Sequence, residues 1–145
     1  MKKGAKRDAR YFTQWAATFY VAAELVRRGY LVALTLGTAP KTDLLATSPS
    51  GRPFKVEVKG LRRSNFWLIG DVPAHQDLFY ALVFVPEDAS QRPRFFILTA
   101  HEVREEMKSY QEKVLAKGRK IAELDYGFPF RNALKYENGW GKLPK

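Results

Sequence analysis

Across residues 8–28, apolar side chains recur at helical spacing: Phe12, Trp15, Phe19, Ala22 and Val26, with Ala16 and Ala23 widening the stripe. The pattern predicts an amphipathic helix with that stripe turned to the core. Arg27, Arg28 and Gly29 form a helix stop. β-Formers then dominate residues 30–36, a strand closed by Gly37 and Pro40, and 42–47 reads as a second strand. Ser48-Pro49-Ser50-Gly51-Arg52-Pro53 is dense in turn formers. Residues 54–58 alternate apolar and charged, the mark of a half-buried strand. Residues 65–69 read as a further short strand, 78–85 as a buried one, and 94–98 as another after a polar loop. Thr99 and Glu102 have capping-box spacing, and Val103, Met107, Tyr110 and Val114 make one face of the helix that follows. Beyond Gly118 the pattern weakens, and Asn138-Gly139-Trp140-Gly141 reads as a turn anchored by tryptophan. The order predicts a mixed α/β fold: helix, three-strand meander, further strands and a helix.

Composition narrows the class. The 145 residues suit one domain. The absence of cysteine removes disulfides, thiolate zinc sites and a thiol nucleophile, and fits a reducing compartment. The longest apolar run, 78–85, is far short of the roughly 20 residues that span a bilayer. The basic start has no apolar segment of the signal-peptide kind behind it. A cytoplasmic protein without membrane attachment is expected. With 25 Lys and Arg against 15 Asp and Glu, the net charge of +10 argues for a polyanionic partner.

The chemistry concentrates in residues 43–59. Along Phe54-Lys55-Val56-Glu57-Val58-Lys59, side chains alternate faces, so Lys55, Glu57 and Lys59 share the charged one. A hairpin centred on Ser50 pairs Leu44 with Val56 and Ala46 with Phe54, which keeps the apolar faces together and sets Asp43 against Glu57. Two opposed carboxylates repel, and a cation between them relieves the repulsion. Mg²⁺ favours such a set, one or two carboxylates with waters and phosphate oxygens. A lysine beside it can orient the attacking water and stabilise charge on the phosphate. The same residues also read as a solvated sheet face on which Lys55 and Lys59 pair with Glu57 and Asp43.

Asp43, with Glu57-Val58-Lys59 after thirteen intervening residues, resembles the active-site signature of the PD-(D/E)xK nuclease superfamily. Further blocks follow in order: Val21 to Tyr30, Asp43-Leu44-Leu45-Ala46, Leu78 to Val85, Phe95-Phe96-Ile97-Leu98 and Asn138-Gly139-Trp140. Together they are similar to a largely uncharacterised group of small bacterial proteins with the restriction-endonuclease-like fold. The resemblance covers nearly the whole chain. It implies a central mixed sheet flanked by helices, a nuclease-like domain over residues 10–145 and a basic arm over 1–9. It also implies a metal-dependent nuclease acting on DNA, with Asp43 and Glu57 holding Mg²⁺ or Mn²⁺ and Lys59 catalytic. Cutting both strands would favour a homodimer. The chain departs from the pattern at three points, one of them that Glu57 keeps the second acid, which many of the small proteins lack. Thr42 replaces the proline beside the Asp, with Pro40 three residues before Asp43. Aligning on Gly29, Thr18 occupies the position of the first-helix glutamate, leaving Gln14, one turn earlier, as a substitute.

For nucleic-acid contact the candidates are Arg62 and Arg63, just beyond Lys59, and Lys2, Lys3, Lys6 and Arg7 of the basic arm. Lys113, Lys117, Arg119 and Lys120 better serve the dipole of the capped helix. His75 and His101 read as exposed, Tyr80 as a strand residue, and Trp15, Trp67 and Trp140 as core. Two alternatives stand beside the nuclease: an inactive nuclease-fold protein that binds nucleic acid, and an interaction module for an acidic protein.

Overall fold

The computed structural model describes residues 3–122 and 126–145. Its first helix, α1, spans Lys3–Arg27. The segment expected as a separate basic arm is therefore the opening of α1 from residue 3 onward, and Lys2 lies outside the described residues. Gly29 ends α1 as predicted. It has φ +90°, its N–H donates to the Val26 carbonyl, and the Tyr30 N–H reaches back to the Leu25 carbonyl, the bond pair of a Schellman stop.

The buried face of α1 is not the predicted one. Phe12 is 67% exposed, Phe19 53% and Val26 58%, whereas Ala17, Val21 and Leu25 are fully buried. Distance to the sheet decides this. A Cβ on Gly60 would lie 2.9 Å from the Thr13 carbonyl oxygen and 3.1 Å from the Ala17 Cβ, so helix and strand approach too closely there for an aromatic ring. The displaced rings pack on one another instead. Trp15 stacks on Phe19 with centroids 5.6 Å apart, and Tyr11 meets Phe12 edge-on.

The strands are β1 (Leu31–Leu34), β2 (Leu44–Thr47), β3 (Pro53–Leu61), β4 (Phe66–Leu68), β5 (Leu78–Phe84) and β6 (Arg94–Thr99), with β7 (Gly127–Pro129) near the end. Five of them form one mixed sheet in the order β1-β2-β3-β5-β6. The first three make the antiparallel meander expected, β5 runs parallel to β3, and β6 returns antiparallel. The short β4 pairs instead with β7, which the weakened pattern past Gly118 did not announce.

The sheet separates two apolar layers. On one side α1 packs through Ala17, Val21 and Leu25 on Phe54, Val56, Val58, Phe79 and Ala81. On the other, α2 (Ala100–Ala116) sets Val103 and Met107 against Leu82, Phe96 and Leu98, with Trp67 and Phe128 from the small sheet. The capping box of α2 is complete: the Glu102 N–H donates to Thr99 Oγ1 at 3.0 Å and the Thr99 N–H to Glu102 Oε2 at 2.9 Å. A four-residue α3 (Phe130–Ala133) and two 3-10 turns lead to Trp140, whose ring lies against Phe95 and under the Arg28 guanidinium at 4.3 Å. No helix among the described residues is long and apolar enough to cross a membrane.

Candidate active site

The hairpin register is the one read from the alternation. Leu44 faces Val56, Leu45 faces Lys55 and Ala46 faces Phe54. Asp43 departs from it. Its N–H donates to the Val56 carbonyl at 3.0 Å, so Asp43 and Leu44 both address Val56, the two-against-one count of a β-bulge. Asp43 therefore does not stand directly across from Glu57. The bulge re-aims its side chain along the edge of β3, where Oδ2 accepts the Val58 N–H at 2.8 Å.

That edge lacks a strand partner past Val56 because β2 is four residues long and β3 nine. Where β2 has ended, side chains complete the ladder. After the Asp43 carboxylate on the Val58 N–H comes Gln14 of α1. Its Nε2 donates to the Val58 carbonyl at 2.8 Å, and its Oε1 accepts the Gly60 N–H at 2.9 Å. Both ends of the Gln14 amide are thus engaged by β3 backbone on either side of Lys59. Thr18 is buried, and its hydroxyl donates to the Gln14 carbonyl oxygen at 3.0 Å, so α1 sends no carboxylate to this edge.

Glu57 and Lys59 project from the face of β3 opposite the α1 layer. Glu57 is only 6% exposed. Among the described residues its partner is Lys59, whose Nζ lies 2.8 Å from Glu57 Oε1. Burial pushes the Asp43 carboxyl above its ordinary range. The Val58 N–H opposes that shift, the charge of Glu57 adds to it, and Lys59 works against it. Two acids and one ammonium therefore share a single electrostatic environment. Across the parallel ladder Glu57 pairs with Tyr80 of β5, a fully buried residue whose hydroxyl has no hydrogen-bond partner. Burial and the Glu57 charge hold that phenol protonated, its acidity far below that of a free tyrosine. Tyr80 is the strand residue read from the sequence, and an apolar strand run gives no sign that its hydroxyl would be left without a partner.

The remaining candidates divide. Arg62 and Arg63 follow the end of β3 and both approach Glu87, at 3.3 and 3.4 Å, with Arg63 largely exposed. Lys6 is exposed on the opening turns of α1, two turns before the crossing at Thr13 and Gly60; Lys3 and Arg7 belong to the same helical segment. His75 and His101 are exposed, and the His75 Nδ1 accepts the Asp77 N–H. Glu24 is occupied by Arg27 and Arg28 at the other end of α1. Trp67 and Trp140 are core as expected, while Trp15 is only half-buried.

The donor set fits a hard divalent cation. Mg²⁺ characteristically takes one or two carboxylates and completes its shell with water and phosphate oxygens. Asp43 and Glu57 supply the carboxylates. Among the described residues no three His, Cys, Asp or Glu side chains come together as a metal-binding group. Comparison with family models, curated proteins and solved structures finds no match for this chain.

Proposed function

We propose that this chain is a metal-dependent nuclease of the restriction-endonuclease-like kind, hydrolysing phosphodiester bonds with DNA as its substrate. The observation carrying this reading is that Asp43 bonds the N–H of Val58, the residue between Glu57 and Lys59 on β3, while the Lys59 ammonium lies 2.8 Å from the nearly buried Glu57 carboxylate. An ordinary surface ion pair has no need of a buried acid, a second acid held in place by a bulge, or a helix amide clamping the strand between them. Asp43 and Glu57 would hold Mg²⁺ or Mn²⁺. When bound, the ion would supply a Lewis acid and lower the pKa of a bound water. Lys59 would orient that water and stabilise charge developing on the phosphate. Arg62 and Arg63 would exchange Glu87 for backbone phosphates. Lys6, exposed on α1, would add a further phosphate contact, and Lys2, Lys3 and Arg7 stay candidates from their charge in the sequence.

The test uses labelled single-stranded, double-stranded and branched DNA with Mg²⁺, with Mn²⁺ and with EDTA. Lys59→Ala should bind DNA nearly as the parent does and lose cleavage by roughly 10²-fold or more, the usual scale for a positioned catalytic group. An alanine variant cutting at the parental rate would move catalysis elsewhere. A second reading is favoured by one observation: Thr18 and Gln14 give α1 no acid at the site. In that case the chain grips nucleic acid without cutting it. Binding would then fall steeply with salt, about 0.9 of log–log slope per duplex phosphate contacted, with no product in any metal.

A further inference from the structure

Tyr80 carries an unexplained hydroxyl. It stands on β5 in a wall of Leu78, Leu82, Phe96 and Leu98, where phenylalanine would pack as well. A buried hydroxyl left without a partner destabilises the fold, and such groups in folded proteins call for a reason. The same core shows what satisfaction looks like: the indole N–H of Trp67 is given the Val83 carbonyl at 3.3 Å. Tyr80 receives no such acceptor. Its register partner is Glu57, so the two side chains rise from adjacent strands on one face. Glu57 is in turn under-supplied, a buried carboxylate whose partner among the described residues is Lys59 alone.

We propose that Tyr80 is the positioning residue for Glu57 in the metal-bound state, donating its O–H to the carboxylate oxygen that does not face the cation. This inference rests on the nuclease reading above and deepens it. The Lys59 ammonium and a divalent cation are drawn to the same carboxylate. A cation at Glu57 releases Lys59 toward water and phosphate, and Glu57 loses the contact that orients it. The Tyr80 hydroxyl is the buried donor beside it that can take over. Hydrogen bonds of this kind to ligating carboxylates fix their orientation, and losing one typically costs 10–100-fold in metal affinity.

Calorimetric titration of Mn²⁺ alone into the full chain and into Tyr80→Phe tests this, with thermal melts of both in EDTA. The variant should bind Mn²⁺ roughly 10–100-fold more weakly. In EDTA it should melt at the same temperature as the parent or higher, because it has shed an unsatisfied hydroxyl. Equal Mn²⁺ affinity in the two proteins would overturn the role of Tyr80 while leaving the metal site standing. A variant that melts lower in EDTA would overturn the premise that the hydroxyl is without a partner in the metal-free protein. A parent chain that takes up no Mn²⁺ would overturn the metal reading and this inference with it.

Discussion

Removing the Gln14 amide is the perturbation with the most readable consequence. Gln14→Ala deletes two hydrogen bonds, to the Val58 carbonyl at 2.8 Å and from the Gly60 N–H at 2.9 Å, and leaves both backbone groups unpaired on the edge of β3. Each bond contributes about 1 kcal/mol net, and each backbone group stranded away from water costs more, so the loss should be roughly 2–4 kcal/mol. At this chain length that corresponds to a fall in Tm of roughly 5–15 °C. Urea unfolding followed by tryptophan fluorescence measures it. A loss below about 0.5 kcal/mol, the scale of an indifferent surface change, would refute the clamp and leave β5 alone to hold the end of β3.

Gln14→Glu sharpens the test, because it keeps the shape and makes the donor depend on pH. Protonated, the new carboxyl can donate to the Val58 carbonyl and still accept the Gly60 N–H. Ionised, it faces that carbonyl with a charge and sits next to the Asp43 carboxylate, which occupies the neighbouring N–H of Val58. The folded state therefore raises the pKa of the new group above its unfolded value near 4.3. The stability it contributes is fully present below that value and is lost as pH rises through the higher folded pKa. Relative to the parent at each pH, the variant should match at pH 4 and fall behind by pH 7. A difference independent of pH would mean that the amide N–H is not donating to β3.

Two further predictions concern the charge at Asp43 and the turned face of α1. Asp43→Asn can still accept the Val58 N–H, and it removes a carboxylate whose ionisation the fold penalises. In EDTA above neutral pH it should match the parent or exceed it by about 0.2–1 kcal/mol, the scale of a cross-strand like-charge contact. It should also lose most of the metal-dependent rise in Tm, which in the parent grows as RT ln(1 + [L]/Kd); a parental melt indifferent to Mn²⁺ combined with a variant destabilised in EDTA would sink the metal site. On α1, Leu25→Ala should cost roughly 2–5 kcal/mol as a core truncation, and Phe19→Ala no more than about 0.5 kcal/mol. Equal costs in urea titrations would show that the outward rings are covered in solution.

How much of this was legible in the chain follows from the range of the interactions involved. The β2–β3 register was readable because a strand's period of two, a turn-rich segment and two apolar faces admit one alignment; Leu44–Val56 and Ala46–Phe54 pair as that alignment requires. The capping box of α2 is local to four residues and was equally plain. The face of α1 was not. Its sequence offers two apolar stripes, and the choice depends on how closely the helix crosses β3 at Gly60, a tertiary distance that no periodicity encodes. The bulge at Asp43 escaped for the same reason: a one-residue step changes no side-chain type. Of the β4–β7 pair, β4 was legible as a short strand, but three-residue β7 carries too short a pattern to read and lies far from its partner in sequence.

The bulge and the clamp together explain why the candidate site lies where it does. A strand edge left unpaired invites another strand, and proteins blunt such edges with charges or with groups that take up the free backbone bonds. β3 outlasts β2, so from Val58 onward its outer edge needs partners that a strand no longer supplies. Asp43 and Gln14 satisfy it one backbone group after another. The solution places an acceptor, here a carboxylate, at the edge beside Val58, between Glu57 and Lys59. Structural need thus accounts for Asp43 and Gln14 by themselves. It does not account for Glu57, a nearly buried acid, nor for the unsatisfied hydroxyl of Tyr80 beside it. A fold seeking only stability would place leucine and phenylalanine at those two positions. Their polarity is what the sheet leaves unexplained and what a cation would explain under the proposed function.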